Sequence, residues 1–141
     1  MTFLVPSGSP IRTIAEVDRE GVRVVVSDRS AYDLYMTRTF KKATLVRITG
    51  IPASFEHFVK EKLEALGGLK PQLMTDCAKL PGSRVLEGQI TGVQQSIGTP
   101  KARSAGAAYL REFVEDIKRS GLVARTIESA GVQGVTVAPP A

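Results

Sequence analysis

The run Ser27-Asp28-Arg29-Ser30-Ala31 combines the side chains best suited to ligand chemistry in this chain. It follows Val22–Val26, which is β-branched except for Arg23, and precedes a helical pattern. The first N–H groups of that helix would therefore point toward an anionic ligand. The hydroxyl and amide of Ser30 could bind a carboxylate or phosphate, and Arg29 could add a charged contact. The pattern predicts an anion-binding turn. The alternative is that Ser27 or Ser30 only caps the helix and Arg29 is solvated.

One aromatic residue lies close enough in sequence to this turn to line the pocket that would hold the anion. Tyr32, Tyr35 and Phe40 recur at helical spacing, which favours packing in the core. Tyr32 differs from the other two because it directly follows the turn. The predicted ligand-binding residues are therefore Arg29, Ser30, Ala31 and Tyr32.

The remaining reactive side chains give no catalytic pattern. The chain has one histidine, His57, and one cysteine, Cys77, which excludes an intramolecular disulfide and any usual Cys and His zinc site. A general base needs an orienting partner, and the sequence signals none for His57, so a surface position is expected. Cys77 lacks a nucleophile motif and fits a small buried residue. We predict no metal, no cofactor and no catalytic residue.

Composition places the chain among globular proteins. It has 141 residues, 43% hydrophobic and 23% charged, enough for one domain or one domain plus a piece of another. The net charge of +5 favours anionic partners without identifying them. Arg38, Lys41, Lys42 and Arg47 cluster near a helix end, where the helix dipole attracts cations, so no nucleic-acid partner is predicted. No run approaches the roughly 20 apolar residues of a membrane helix, and we expect no signal peptide in this chain.

Apolar periodicity predicts alternating strands and helices, which argues for an α/β sandwich with successive strands in parallel. Ser9 and Ser54 are the expected N-caps of two helices, and Gly67-Gly68 is expected to end the second. The predicted strands are 3–5, 22–26, 45–48, 84–86, 90–97 and, as a strand or extended tail, 135–137. The predicted helices are 10–17, 31–42, 55–66, 69–80, 104–120 and 122–127.

Six motifs follow one another along nearly the whole chain: Leu4–Ile11, Ile14–Asp18, Gly21–Val26, Ser30–Asp33, Leu80–Gly88 and the stretch from Ala107 to Val123. In this order they resemble the bacterial extracellular solute-binding proteins of family 3, which serve polar amino acid ABC transporters. The resemblance implies a periplasmic-binding-protein-like α/β lobe with a mainly parallel sheet flanked by helices. It also implies that residues 1–93 form the crossing strand and solute-binding lobe two. Residues 94–141 would form the C-terminal helices returning to lobe one, whose first half is missing.

The function implied by this resemblance is non-catalytic. The chain would capture a small polar or anionic, amino-acid-like solute in the periplasm and present it to an ABC transporter permease. Two positions depart from the family pattern: Arg29-Ser30 stands where Gly-Ser is usual, and Pro71 stands where an acidic residue is expected. A buried amino group without a carboxylate partner is costly, so the missing acid counts against α-amino acids and leaves carboxylates or other small polar solutes open as ligands.

Two further expectations concern partners and alternatives. An apolar face formed by Leu110, Phe113, Val114 and Ile117 predicts a homodimer or higher oligomer. The alternative to a binding protein is a lyase-like or enzyme-associated α/β domain related to binding proteins, with a carboxylate or His57 as its base.

Overall fold

The computed structural model describes residues 1–141, which separate into two compact units, Met1–Val93 and Gln94–Ala141. The first unit contains five strands, three α-helices and one short 3-10 helix, and the second unit contains two α-helices. The elements of the first unit are β1 (Thr2–Val5), the 3-10 helix (Ile14–Glu16), β2 (Arg23–Ser27), α1 (Ala31–Thr39), β3 (Thr44–Ile48), α2 (Ile51–Lys60), β4 (Ala65–Gly68), α3 (Lys70–Lys79) and β5 (Arg84–Val85). The second unit contains α4 (Ser104–Arg119) and α5 (Leu122–Ser129).

The five strands form one mixed sheet in the order β3-β2-β4-β1-β5. Strand β2 is parallel to both β3 and β4, whereas β1 is antiparallel to β4 and β5. The predicted α/β fold class is confirmed. Its parallel part comes from the expected strand–helix alternation, and its antiparallel part comes from β1 and β5.

Helices cover both faces of the sheet because side chains alternate along each strand. On one face, Val24 and Val26 pack in a core with Met36 of α1. On the other face, Val25 packs in a second core with Phe58 of α2 and Leu73 of α3. These six side chains are almost completely excluded from solvent. The two cores therefore fix α1 on one side of the sheet and α2 and α3 on the other.

This arrangement brings three helix N-termini to one edge of the sheet. In the parallel register Ser27 pairs with Ile48, and Val25 pairs with Leu66, so β2, β3 and β4 end at the same level. Each of these strands leads within a few residues into α1, α2 or α3. In open α/β sheets, ligands bind at the carboxyl ends of strands whose helices lie on opposite faces. A ligand site is therefore expected at this edge.

The predicted helix starting after Ser9 is wrong. Ser9 is buried, and its Oγ accepts a hydrogen bond from the amide of Ile11 at 3.2 Å. The helical segment is confined to the single 3-10 turn, whose start is a capping box between Thr13 and Glu16. The Glu16 carboxylate also accepts the amide of Arg12 at 2.6 Å, which holds this segment as a turn.

The predicted start of α2 is also wrong. The helix begins four residues earlier than Ser54 would require, with Pro52 in its first turn, where the missing N–H causes no loss. Ser54 lies inside the helix, and its Oγ donates to the Gly50 carbonyl at 2.7 Å.

Gly67 and Gly68 form the end of strand β4 rather than ending a helix. A Cβ atom on Gly67 would lie 2.8 Å from Cε of Met36, and one on Gly68 would lie 3.0 Å from Cδ2 of Leu73. The absence of side chains at the two glycines therefore leaves room for Met36 of α1 and Leu73 of α3 to pack closely on opposite sides of the strand.

The second unit contains the two helices that the sequence predicts, but it contains no strand. Helices α4 and α5 are confirmed, and residues 90–97 form no strand. Residues 135–137, predicted as a strand or an extended tail, do not pair as a strand. None of the residues of α4 and α5 is buried, and the rings of Tyr109 and Phe113 stack with centroids 6.3 Å apart. No helix in the chain has both the length and the apolar character needed to cross a bilayer.

Candidate functional site

The turn between β2 and α1 contains the residues that the sequence singled out. Ser30 is the N-cap of α1, and its Oγ accepts a hydrogen bond from the amide of Asp33 at 3.1 Å. Arg29 adopts a left-handed backbone conformation, with φ of 58°, and its side chain is 90% exposed. Its guanidinium lies 3.7 Å from the adjacent carboxylate of Asp28. The capping role of Ser30 is thus present, and the Arg29 head group is exposed to solvent beside Asp28.

Asp33 is the residue that holds this turn in place. Its side chain is nearly fully buried, and one oxygen, Oδ2, accepts the amide of Arg29 at 2.9 Å. The other oxygen, Oδ1, accepts from Nε of Arg47 at 2.9 Å and from the hydroxyl of Thr37 at 3.2 Å. Because Arg47 belongs to β3, Asp33 ties the turn to the neighbouring strand.

Three donors at the start of α1 can still meet an anionic group. The amides of Ala31 and Tyr32 lie in the first turn, where no carbonyl of the helix reaches them. The Ser30 hydroxyl uses its oxygen for the cap and keeps its own hydrogen for donation. These groups, together with the exposed guanidinium of Arg29, can hold a carboxylate at the positive end of the helix dipole.

A small crevice, with a volume of ≈ 30 Å³, begins beside the turn and lies between β4, α2 and α3. Tyr32 belongs to both the turn and the crevice. Most of the lining is apolar, and four side chains contribute polar atoms. The lining residues are Tyr32, Ile51, Ser54, Leu66, Gly67, Gly68, Leu69, Gln72, Leu73 and Asp76.

Two of these lining residues, Gln72 and Asp76, were missed in the sequence analysis. Asp76 is only 2% exposed, and its carboxylate accepts from Nε2 of Gln72 at 3.1 Å and from Nζ of Lys79 at 3.0 Å. The spacing of four residues between Gln72 and Asp76 places them on one face of a helix, which is the signal that could have identified the pair. Their position in a crevice depends on how α3 packs against β4.

The other candidates from the sequence do not join this site. His57 lies in α2 and does not line the crevice, and Cys77 packs beside the second core with its Sγ 3.4 Å from the Ser83 carbonyl. The backbone amides of Lys41 and Lys42 donate to the carboxylate of Asp18. No group of three or more His, Cys, Asp or Glu side chains is placed to hold a metal ion.

Comparison with known proteins identifies relatives by structure only. Neither a protein-family model nor a curated protein sequence matches the chain. Among solved structures, an ancestral arginine-binding protein bound to glutamine superimposes with a TM-score of 0.73 and 14% identity, covering 95% of this chain and 59% of that one. The substrate-binding protein of an amino acid ABC transporter gives a TM-score of 0.70 at 12% identity, covering 91% and 57%.

A third similar structure is an enzyme. An ancestral cyclohexadienyl dehydratase superimposes with a TM-score of 0.58 and 17% identity, covering 91% of this chain and 55% of that one. The chain therefore spans little more than half the length of each of these three proteins. The resemblance stated from the sequence is confirmed at the level of fold: this chain has the α/β fold of arginine-binding proteins and of amino acid ABC transporter substrate-binding proteins, over part of their length.

Proposed function

We propose that this chain is the substrate-binding component of an ABC transporter and captures a small polar or anionic solute without changing it chemically. The solute's anionic group would rest on the turn Arg29–Tyr32, at the N-terminus of α1. The observation that carries the proposal is the convergence of three helix N-termini on one sheet edge, beside a crevice that shares Tyr32 with the turn. The similar structures that bind amino acids support the same class of ligand.

The proposal includes the partners and the location expected from the resemblance. The bound solute would be presented to a transporter permease, and the setting would be the periplasm. A second copy of the chain would cover the apolar side of α4, where Tyr109 is 67% exposed and Phe113 is 41% exposed. Exposed aromatic side chains on an amphipathic helix favour association.

The test of solute binding is a thermal-shift and calorimetric screen of carboxylates, amino acids and sulfonates against the 141-residue chain. Ala31→Pro is the most direct test of the turn, because it removes one free backbone amide at the first helical position, where proline is well accommodated. The extended backbone of Ser30, with ψ of 162°, already suits a following proline. We expect Ala31→Pro to weaken anion binding about tenfold, the value of a charge-assisted hydrogen bond, with little loss of stability.

Two further variants separate binding from folding. Ser30→Asp keeps a good cap but places a negative charge against the anion, so it should abolish binding while preserving the melting temperature. Ser96→Ala is the matched control, since Ser96 is exposed in the second unit. If Ala31→Pro and Ser30→Asp bind the best carboxylate as tightly as the unmodified chain, the site does not lie at this turn.

An enzyme of lyase type is the second candidate, and the similarity to the ancestral dehydratase favours it. In this chain the base would have to be the carboxylate of Asp76, because His57 does not line the crevice. Turnover of a screened carboxylate, lost in Asp76→Asn, would support the enzyme and overturn the proposal of simple capture.

A further inference from the structure

The crevice beside the turn is too small to enclose a solute. One water-sized group needs about 10–15 Å³ of such a space, so a crevice of ≈ 30 Å³ has room for about two of them. Apolar side chains and the two glycines at the end of β4 form most of its walls. A solute that rests on the α1 turn could therefore insert only one small substituent into the crevice.

Tyr32 provides the first polar atom available to such a substituent. The residue is only 5% exposed, and its hydroxyl makes no hydrogen bond within the chain, although a buried tyrosine hydroxyl usually has a partner. No side-chain oxygen or nitrogen that is sealed from solvent lacks a partner, so the Tyr32 hydroxyl reaches open space. The crevice, which Tyr32 lines, provides that space.

Gln72 provides the second polar atom, a carbonyl oxygen. Its Nε2 donates to both carboxylate oxygens of Asp76, at 3.2 and 3.1 Å, and this fixes which end of the amide faces the aspartate. The other end, Oε1, accepts no hydrogen bond within the chain. Because Gln72 also lines the crevice, it supplies an acceptor there.

The remaining two polar side chains of the crevice are already engaged. Ser54 is 2% exposed, and its Oγ donates its only proton to the Gly50 carbonyl at 2.7 Å. The carboxylate of Asp76 accepts hydrogen bonds on both oxygens, and Nζ of Lys79 balances its charge at 3.0 Å. A further charge would have to be buried without a partner of its own, which is costly. The crevice is therefore suited to an uncharged polar group.

A hydroxyl is a small uncharged group that both donates and accepts a hydrogen bond. We propose that the crevice binds a hydroxyl of the solute, which accepts from the phenol of Tyr32 and donates to Oε1 of Gln72. This inference rests on the proposed function, in which the solute's anionic group lies on the turn, and it narrows the solute to short hydroxy carboxylates. Tyr32 then recognises both groups, the carboxylate with its backbone amide and the hydroxyl with its side chain.

The experiment measures by calorimetry the affinity of the 141-residue chain for butanoate and for its 2-, 3- and 4-hydroxy derivatives. These four acids have the same charge and chain length, so they differ only in the presence and position of the hydroxyl. We expect the derivative whose hydroxyl reaches the crevice to bind about tenfold more tightly than butanoate, as two neutral hydrogen bonds predict. The 2-, 3- and 4-aminobutanoates, which place an ammonium at the same positions, should show no such gain.

Tyr32→Phe is the decisive variant, because it removes the phenol oxygen and keeps the ring and the backbone amide. We expect it to lower the ratio of hydroxybutanoate to butanoate affinity at least about threefold, and Gln72→Met should lower the ratio in the same way. Tyr35→Phe, about one turn further along α1 and outside the crevice, is the matched control and should keep the ratio. A purely structural role of Tyr32 would lower the melting temperature without changing the ratio, and this result would overturn the proposal.

The failures of the two proposals can be told apart. If the hydroxybutanoates bind no more tightly than butanoate and Ser30→Asp abolishes binding of both, the hydroxyl subsite is wrong and the solute-binding proposal stands. If an aminobutanoate binds more tightly than every hydroxybutanoate, the crevice selects a charged group, and the hydroxyl subsite is again wrong. If the unmodified chain binds none of the seven probes saturably, both proposals are overturned.

Discussion

The turn before α1 illustrates how single residues prepare a site in this protein. Ser30 satisfies one amide of the helix, while the carboxylate of Asp33 fixes the amide of Arg29 and the guanidinium of Arg47. Because these contacts join α1 to β3, the free amides of the first turn are held in one orientation before any ligand arrives. Such preorganisation lowers the entropy cost of binding.

A second charged pair at the residue scale, Arg23 and Glu64, makes a prediction about pH. The side-chain hydrogen bonds from Arg23, at 2.7 and 2.8 Å, lower the pKa of Glu64 against the opposing effect of desolvation. A carboxyl with a lowered pKa stabilises the fold above its unfolded pKa of about 4.3, and this contribution is lost as the pH falls through the folded pKa.

We therefore expect Glu64→Gln to lower the free energy of unfolding by about 0.5–1 kcal/mol near neutral pH, a small value because both side chains are partly exposed to solvent. The difference from the unmodified chain should shrink below about pH 4. Urea unfolding at neutral and acidic pH measures it, with the exposed residue Glu20, changed to Gln, as the control. A difference that is the same at both pH values would contradict the role of this pair.

At the scale of elements, β4 depends on its glycines for packing. Gly67→Ala would place a Cβ atom 2.8 Å from Cε of Met36, so either helix α1 or the Met36 side chain must move. We expect a loss of about 1–3 kcal/mol in the free energy of unfolding, as for other overpacked cores. Gly92→Ala is the control, because no atom lies within 4 Å of its added Cβ. Equal stability of the two variants in urea would show that Met36 yields without cost.

The elements also show what the sequence could and could not predict. Helices α3, α4 and α5 follow their apolar periodicity, and β2 follows its run of β-branched residues, so local pattern was sufficient. Strand β4 was missed because glycines have low strand propensity. The reason for glycine at these positions is visible only once two helices pack against the strand. The α1 turn was predictable because a strand, a polar turn and a helix are adjacent in sequence. Asp76 was not, because its place in the crevice depends on tertiary packing.

At the scale of the whole molecule, the two units differ in how they bury apolar surface. The first unit has two cores on either side of its sheet, whereas no residue of α4 or α5 is buried. The second unit therefore has the greater need for a partner, which is the physical basis for proposing a second copy of the chain there.

The dimer proposal predicts an outcome for Phe113→Glu. A charge in the apolar side of α4 should weaken self-association at least about tenfold, because aromatic anchors dominate most interfaces. Sedimentation velocity at micromolar concentration measures this, and Ala108→Glu, which shares the polar side of α4 with Arg111 and Glu115 by helical spacing, is the control. A monomer for the unmodified chain under these conditions would remove the proposal.

The left-handed backbone at Arg29 has a cost for the stability of the turn. Glycine adopts that conformation freely, whereas any side chain there is disfavoured by about 1 kcal/mol. Replacing Arg29 with glycine would therefore relieve the backbone and would also remove an exposed positive charge from this edge of the sheet.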